Sequence, residues 1–232
     1  MTKNTSSIRK RMLSLRPALI SDALGKSGAM DHYMQCFSAK CRMAGPAFTL
    51  RVHTADILMV GKALSDCPPG HVLVIDGQGE PNTALWGAIT TECARLKGLE
   101  GIVIDGAIRD LAQIRRSPLP VFARAAVPNA GGAEYTGETG IPIQCAGTVV
   151  SPGDWIVSDE DGLVVVAAGR VDAVLDRAEA LLKVERAIYA EVGKGKDLGE
   201  LLHYDELLKS KFAAGGLPQM RFTATARKRN AL

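Results

Sequence analysis

The hexapeptide DGAIRD, residues 105–110, combines side chains that could bind and polarise an anionic molecule. It follows the apolar run GIVI, which is typical of a buried parallel strand. Arg109 is a planar donor suited to a carboxylate, an enolate or a phosphate, and Asp110 is a hard oxygen ligand for Mg²⁺ or Mn²⁺. Because adjacent strand residues point to opposite faces, we expect the two charges to serve a ligand and not each other. Since open α/β sheets bind ligands at the carboxyl ends of their strands, the hexapeptide predicts a binding site.

A structural explanation of the same residues stays open. Arg109 and Asp110 could cap a helix that begins near Leu111 and pair with other surface charges. Asp105 is expected to form a turn ahead of Gly106 and not to bind the ligand.

A second candidate lies upstream, where Gly87 stands early in a predicted helix after the segment GQGEPN. The first amides of a helix are unpaired and attract anions, so this helix start could receive a carboxylate. The alternative is that Gly87 only lets the helix pack closely on the sheet.

Alternating strand and helix patterns must position these residues. The strands are expected at 45–53, 71–77, 101–106 and 119–125, and the intervening helices at 55–67, 83–98 and 111–117. The strand segments are too apolar for a half-exposed sheet. The order therefore predicts an α/β protein with a parallel βαβ core covered by helices.

The remaining segments have a different character. Residues 8–28 have a helical pattern, and residues 147–170 read as short strands separated by Pro-Gly and Asp-Gly turns. A long amphipathic helix is expected at about 171–192, followed by a short helix in LGELLHYDELLKS. The segments PPGHVLVIDGQG and SPGDWIVSDEDG echo each other, which suggests two similar β-units packed together or turn chemistry used twice.

Composition excludes several classes of protein. Hydrophobic residues make up 47% of the 232 residues and the net charge is +3, as in an ordinary globular protein. The basic runs at 9–11 and 226–230 are interpreted as solvated ends, and the few aromatic residues disfavour nucleic-acid binding. The first fifteen residues lack the apolar region of a signal peptide, and no apolar stretch reaches the length of roughly 18 residues expected of a membrane span. The five cysteines are scattered, which predicts reduced, buried thiols in a cytoplasmic protein. Together with the preceding points, we expect a protein that binds neither nucleic acid nor membranes.

On these motifs the chain resembles the RraA-like family. That family includes the class II pyruvate aldolases that act on 4-hydroxy-4-methyl-2-oxoglutarate and 4-carboxy-4-hydroxy-2-oxoadipate. Its signature is a glycine, an acidic residue, twenty residues and then Arg-Asp, which fall here on Gly87 and on Arg109-Asp110. The blocks PPGHVLVID, LPVFARA and IPIQCAGTVVSPGDWIVSDEDGLVVV also match. The resemblance runs from about residue 15 to 205.

The resemblance implies a layered β/β/α, swivelling-domain-like fold with a C-terminal helix. We expect one RraA-like domain over 1–232, with a core at about 15–205 and an extension at 206–232. Homotrimers or homohexamers are implied, with sites near subunit contacts.

The resemblance also implies roles for individual residues. Asp110 would bind Mg²⁺, Mn²⁺ or another divalent metal, and Arg109 would contact the pyruvoyl oxygens of a small 2-oxo acid. The backbone amides of the segment Gly87, Ala88, Ile89 and Thr90 would receive the substrate carboxylate. By its spacing to Gly195, Glu185 best matches an acidic residue that reaches a neighbouring subunit's metal site.

One residue departs from the family pattern, because Ala88 stands where the signature has an acidic residue. In the aldolases that carboxylate positions a water for proton transfer, and alanine cannot do so. Glu92, four residues further along the helix, could replace it or could be an ordinary exposed residue. The expected activity is therefore a metal-dependent pyruvate lyase whose oxaloacetate decarboxylation is more robust than its retro-aldol cleavage. The alternative is a non-catalytic protein that binds and regulates ribonuclease E.

Overall fold

The computed structural model describes residues 3–213, and the side chains of residues 5–211. The chain divides into two compact units, residues 1–182 and residues 183–232. The α-helices are α1 (Lys3–Ser14), α2 (Pro17–Ala23), α3 (Leu58–Asp66), α4 (Ala88–Lys97), α5 (Leu111–Ile114), α6 (Val171–Val192), α7 (Leu198–Leu201) and α8 (Tyr204–Ala213). The strands are β1 (Gln35–Cys36), β2 (Met43–Arg51), β3 (Val72–Trp86), β4 (Gly101–Ile108), β5 (Val121–Ala126), β6 (Glu138–Thr139), β7 (Ile143–Cys145), β8 (Thr148–Val150), β9 (Trp155–Asp159) and β10 (Gly162–Val166).

A mixed sheet forms the centre of the first unit. Its strand order is β1-β5-β4-β3-β2-β9-β10, and β6 pairs with the end of β2. The strands β2, β3, β4 and β5 are mutually parallel, whereas β1, β9 and β10 pair antiparallel. The predicted parallel βαβ core is confirmed, with antiparallel strands added at both edges.

The two faces of the sheet are covered by different layers. Alternate residues of β3 and β4, such as Leu73 and Ile104, pack with Val60 of α3 and Ala94 of α4. The residues between them pack against the hairpin formed by β7 and β8, through side chains such as Ile143. Because side chains alternate between the faces of a strand, one sheet can support a helical layer and a β layer. This is the layered β/β/α arrangement that the resemblance implied.

The longest strand, β3, corrects the prediction of a helix over 83–98. Its pairing with β4 is regular up to Ile75 and then continues with register shifts at Glu80, Ala84 and Trp86. Residues 83–86 are therefore strand, and helix α4 begins only at Ala88. Pairing of Trp86 with Ile108 of the neighbouring strand overrides the local helical pattern.

The N-terminal segment corrects two further predictions. The expected helix at 8–28 is interrupted between α1 and α2. Arg16, which precedes the proline, has an extended backbone, and Pro17 is the first residue of α2. The basic run at 9–11 is not a solvated end, since Arg9 pairs with Glu100 at 2.9 Å and Arg11 with Glu179 at 2.7 Å. The other basic run, at 226–230, lies outside the described residues.

The echoed segments have a common neighbour. Strand β3, from the first copy, pairs parallel with β2, and β9, from the second copy, pairs with β2 antiparallel. The two β-units are therefore neighbours in one sheet, since both pair with β2.

The C-terminal part follows the predicted order. The helix predicted at 171–192 is α6, which begins at Val171 and ends at Val192. In the second unit the predicted tail helix is split into α7 and α8, because His203 has a left-handed backbone with φ of 52°. Within residues 3–213 no helix has the length and apolar character needed to cross a bilayer.

All five cysteines are free thiols, but they are not all buried as predicted. Cys67 and Cys145 are buried, Cys36 and Cys41 are half-buried, and Cys93 is exposed on α4. Cys93 lies on the outer side of its helix, where the sheet cannot cover it.

Candidate active site

The parallel strands β3 and β4 end side by side and bring the two predicted segments together. Trp86 pairs with Ile108, and the Arg109 amide donates to the Trp86 carbonyl at 2.9 Å. Gly87 and Arg109 are therefore the first residues beyond two neighbouring strand ends. This is the position at which open α/β sheets bind ligands.

The backbone of Asp110 directs its carboxylate back toward the start of α4. Asp110 has a left-handed conformation, with φ of 60° and ψ of 39°, and its Oδ2 accepts a hydrogen bond from the Ala88 amide at 2.9 Å. The same oxygen lies 3.9 Å from Arg109 Nε. The prediction that the two charges face apart is wrong, because both residues lie beyond the strand and Asp110 leaves the extended conformation.

The structure does not support the alternative that the Asp110 side chain caps α5. Asp110 occupies the residue before α5, but its carboxylate makes no capping hydrogen bond to that helix. The carboxylate instead caps α4 through the Ala88 amide. A Cβ atom at Gly87 would lie 2.6 Å from Asp110 Oδ2, so a side chain here would push the carboxylate away from the Ala88 amide.

The first turn of α4 lies beside Arg109 and Asp110 and contains two further backbone amides, those of Ile89 and Thr90. The Gly87 amide donates to Thr90 Oγ1 at 3.0 Å, and the Ala88 amide is used by Asp110. The amides of Ile89 and Thr90 lie in the same first turn, where an α-helix offers its N–H groups no intrahelical acceptor. Two free amides at a helix N-terminus are suited to a carboxylate.

A cleft of about 190 Å³ opens in front of these groups. Trp86, Thr90, Arg109 and Asp110 line this cleft. The lining also includes residues that the sequence did not reveal as site residues: Ile57, Val60 and Gly61, around the start of α3, and Ala130. Nothing in their types or spacing marks them, because they meet the signature residues only through the fold.

The donor set around Asp110 is compatible with a loosely held hard cation. Both Asp110 and Arg109 are partly exposed at the cleft, at 38% and 45% of their side-chain surface. Among the described residues no group of three or more His, Cys, Asp or Glu side chains is arranged so that it could hold a metal ion. A cage of protein ligands is thus not formed there, but Mg²⁺ accepts a single carboxylate because it retains waters and takes oxygen ligands from its substrate.

Ala88 faces a different cleft from the one in front of Arg109. Together with Glu92 and Arg116 it lines a neighbouring cleft of about 340 Å³. Ala88 and Glu92 therefore share a helix face, as their spacing predicted. However, Glu92 makes a two-pronged ion pair with Arg95, at 2.8 and 2.6 Å, and these hydrogen bonds lower the pKa of Glu92.

Asp105, the first residue of the hexapeptide, is not in a turn as predicted. It lies inside β4, is buried, and its carboxylate accepts hydrogen bonds from Arg124 and from the Ala146 amide. Its partners satisfy the carboxylate and the strand continues to Ile108. Its expected absence from the ligand set is consistent with this burial.

Glu185 lies on α6, in the part of that helix that belongs to the second unit, and is half-buried. Its expected role at a neighbouring subunit's site stays a prediction.

The chain is similar to proteins named as aldolases and to proteins named as RNA-processing inhibitors. A 4-hydroxy-4-methyl-2-oxoglutarate aldolase of Thermus thermophilus is 35% identical over 66% of this chain and 93% of its own length. The solved structure of the RNA-processing inhibitor RraA, also from Thermus thermophilus, is 36% identical, with a TM-score of 0.61 over 65% of this chain and 92% of that chain. An uncharacterized protein from Pseudomonas syringae is 27% identical, with a TM-score of 0.75 over 84% of this chain and 92% of that chain.

The family model described as RraA-like, Aldolase/RraA, matches residues 17–165. This range contains the sheet, the start of α4 and the Arg109-Asp110 pair. The shared fold, the signature residues at neighbouring strand ends and the matched range agree, and the chain belongs to the RraA-like family.

Proposed function

We propose that this protein is a divalent-metal-dependent carbon–carbon lyase that acts on small 2-oxo acids. Its reactions would be retro-aldol cleavage of 4-hydroxy-4-methyl-2-oxoglutarate-type substrates, decarboxylation of oxaloacetate, or both. The observation that carries the proposal is the meeting of Arg109, Asp110 and the free α4 amides at one cleft. The aldolase names of relatives such as the Thermus thermophilus protein support it.

Substrate binding would use the first turn of α4. The amides of Ile89 and Thr90 would receive the 2-oxo acid's carboxylate, where the partial positive charge of the helix start favours an anion. The Arg109 guanidinium would donate to the oxygens next to it. Together these donors fix the acid's orientation relative to the bond that breaks.

Asp110 would hold the divalent cation. The Ala88 amide donates to Oδ2 and so restrains the carboxylate, and Oδ1 would be the oxygen that binds the cation. When bound, Mg²⁺ supplies positive charge that stabilises the negative charge developing on the keto oxygen. Arg109 adds to the same stabilisation from the protein side, as a preorganised donor.

The two reactions make different demands on proton transfer. Retro-aldol cleavage needs a base to take the 4-hydroxyl proton, whereas decarboxylation of oxaloacetate needs no such base. Ala88 has no carboxylate, and Glu92 is held by Arg95 with a lowered pKa. Decarboxylation is therefore proposed as the more robust activity.

The assembly would contribute a further group. We propose a homotrimer or homohexamer in which Glu185 of one subunit reaches toward the site of another. Mixing inactive Arg109→Ala subunits with Glu185→Gln subunits and measuring recovered activity would test this exchange.

The central test is the rate of both reactions with Mg²⁺ in Arg109→Ala and Asp110→Ala. Each substitution removes a group that acts on developing charge, so we expect kcat/KM to fall at least about 100-fold. Arg170→Ala, at an exposed residue outside the cleft-lining set, is the matched control and should retain full activity. Unchanged rates in both site variants would rule out the assignment.

A second candidate is a non-catalytic regulator that binds ribonuclease E. The Thermus thermophilus neighbour, titled an RNA-processing inhibitor, favours it. Capture of purified ribonuclease E on the immobilised protein, beside the lyase assay, separates the two functions. Capture that survives Arg109→Ala, without Mg²⁺-dependent lyase activity, would favour the regulator.

A further inference from the structure

Two of the five cysteines, Cys36 and Cys41, lie close together at one edge of the central sheet. Cys36 is the last residue of β1, which pairs with β5, and Cys41 comes two residues before β2. Both side chains are half-buried and pack against the apolar cluster that includes Ile143 of β7. Cys36 Sγ lies 3.3 Å from the Lys40 carbonyl oxygen, which belongs to the peptide unit that joins Lys40 to Cys41. The Cys36 sulfur is therefore directed toward the backbone of Cys41.

The two thiols also contact each other. Burial, and then a hydrogen bond between the two thiols, raises the pKa of Cys41 to about 12. Cys41 is therefore protonated at neutral pH, and Cys36 is the thiol that reacts first as a thiolate. A disulfide requires the two sulfur atoms to approach to about 2.05 Å, which needs only a small movement from a hydrogen-bonded pair.

The residues between the two cysteines are held in place by hydrogen bonds. The Phe37 amide donates to the Val121 carbonyl at 2.9 Å, and the Ala39 amide donates to the Ser117 carbonyl at 3.1 Å. In return, the Val121 amide donates to Ser38 Oγ at 2.8 Å. The loop is thus fixed to the segment that leads into β5, so the thiols are kept together before any bond forms between them.

We propose that Cys36 and Cys41 form a redox-active dithiol, which hydroperoxides oxidise to a reversible intramolecular disulfide. The partial exposure of both side chains gives a molecule as small as hydrogen peroxide access to the pair. This site is separate from the cleft at Arg109, and the proposal does not depend on the lyase function.

The oxidation proceeds in two steps. The Cys36 thiolate attacks one oxygen of hydrogen peroxide and breaks the O–O bond, which leaves a sulfenic acid on Cys36 and a hydroxide that takes up the thiol's proton. The Cys41 sulfur then attacks the Cys36 sulfur and breaks the S–O bond, and the hydroxyl group leaves as water with the Cys41 proton. Each sulfur gives up one electron, so one peroxide yields one disulfide and two waters. A dithiol such as dithiothreitol reverses the reaction by thiol–disulfide exchange.

The experiment uses the full-length Cys93→Ser protein, because the exposed Cys93 could otherwise link two copies. The folded protein is treated with a small excess of hydrogen peroxide, the peroxide is removed, and the remaining thiols are blocked with N-ethylmaleimide in urea at mildly acidic pH. Trypsin cleaves after Lys40, between the two cysteines, so a disulfide joins the peptide 27–40 to the dipeptide 41–42. We expect mass spectrometry to find this joined peptide in most of the protein and dithiothreitol to separate it. The buried Cys67 and Cys145 should remain thiols.

Cys41→Ser in the same background tests which thiol reacts with peroxide. Cys36 then has no partner, so its sulfenic acid should accumulate and be labelled by dimedone. The parent protein, in which Cys41 consumes the sulfenic acid, is the matched control and should give several-fold less label.

Three results would overturn the inference. The first is oxidation of Cys36 to a sulfinic or sulfonic acid in the folded parent without the joined peptide. The second is a joined peptide that forms only when peroxide is added to protein already unfolded in urea. The third is the absence of a dimedone adduct on Cys36 in Cys41→Ser.

Discussion

At the scale of single residues, the site depends on one carboxylate held in an unusual conformation. Asp110 adopts a left-handed backbone, which aspartate tolerates better than most residues because its short side chain bonds locally. That conformation turns Oδ2 toward the Ala88 amide, and Gly87 leaves room for it. The acid/base part of the site has no equivalent group, since Ala88 carries no carboxylate.

Restoring the missing carboxylate should change the balance of the two reactions. In Ala88→Glu the new side chain starts in the neighbouring cleft and would have to extend past the start of α4 to reach the substrate. If it does, we expect retro-aldol cleavage to rise at least about tenfold relative to decarboxylation, because a positioned base contributes about 10²–10⁴-fold in favourable cases. The ratio of the two rates, measured with Mg²⁺, is the readout. Glu92→Gln is the companion variant and should leave the ratio as it is, because Arg95 already engages Glu92. A fall in retro-aldol cleavage in Glu92→Gln would instead identify Glu92 as the base.

At the scale of elements, a buried aspartate joins the start of α3 to the segment that follows Ala130. Asp56 accepts hydrogen bonds from the amides of Leu58, at 2.9 Å, and of Glu134 and Tyr135, at 2.6 and 3.0 Å. Burial alone would raise the pKa of Asp56, but these three N–H donors and nearby His53 outweigh it and lower the pKa. Both joined elements contribute residues to the cleft wall.

Removing this carboxylate should destabilise the protein in a pH-dependent way. Asp56→Ala leaves three amides without their acceptor, so we expect unfolding free energy at pH 7 to fall by about 3 kcal/mol. Because the folded pKa lies below the unfolded value of about 3.9, the contribution is fully present above that value. The part linked to the lowered pKa is lost as the pH falls through the folded pKa, so the difference between the wild type and the variant should become smaller in acid.

Urea unfolding of both proteins at neutral and acidic pH measures this difference. Asp66→Ala, also in α3, removes an exposed carboxylate that pairs with Lys62, and should change stability by less than about 1 kcal/mol. Equal losses in the two variants, or a loss in Asp56→Ala that persists unchanged in acid, would contradict the role given to Asp56.

At the scale of the whole first unit, a row of charges crosses the four parallel strands on the face covered by β7 and β8. Arg51 of β2 lies opposite Asp76 of β3, and their side chains approach to 3.3 Å. Asp105 of β4 pairs with Arg124 of β5, and its other oxygen accepts from the Ala146 amide just beyond β7. Arg124 also stacks over Tyr33. The row therefore links the N-terminal segment, the sheet and the β7–β8 layer.

Replacing only one partner of the Arg124–Asp105 ion pair should strongly destabilise the protein. Arg124→Met leaves a buried carboxylate without its cation, and we expect a loss of about 3–5 kcal/mol in unfolding free energy. Asp105→Asn combined with Arg124→Met removes the charge as well and should recover at least about 1 kcal/mol. Guanidinium unfolding of the three proteins measures both values. The prediction fails if the double variant is less stable than Arg124→Met alone.

The sequence by itself determined the features that depend on local patterns. Apolar runs and turn residues gave the parallel strands, the order of the helices and the bounds of α6, because these follow from periodicity and capping. The signature residues at Gly87 and Arg109-Asp110 were also visible, since their types and spacing are specific.

Only the tertiary structure decided how those pieces meet. Residues 83–86 are strand because β4 pairs with them, and Asp105 lies within β4 because Arg124 and Ala146 satisfy its charge. Other residues of the cleft lie at separate places in the sequence, and only the fold brings them to the same cleft as Arg109: Ile57, Val60, Gly61 and Ala130. Such long-range pairings are set by burial and charge neutralisation across the fold, which no local pattern encodes.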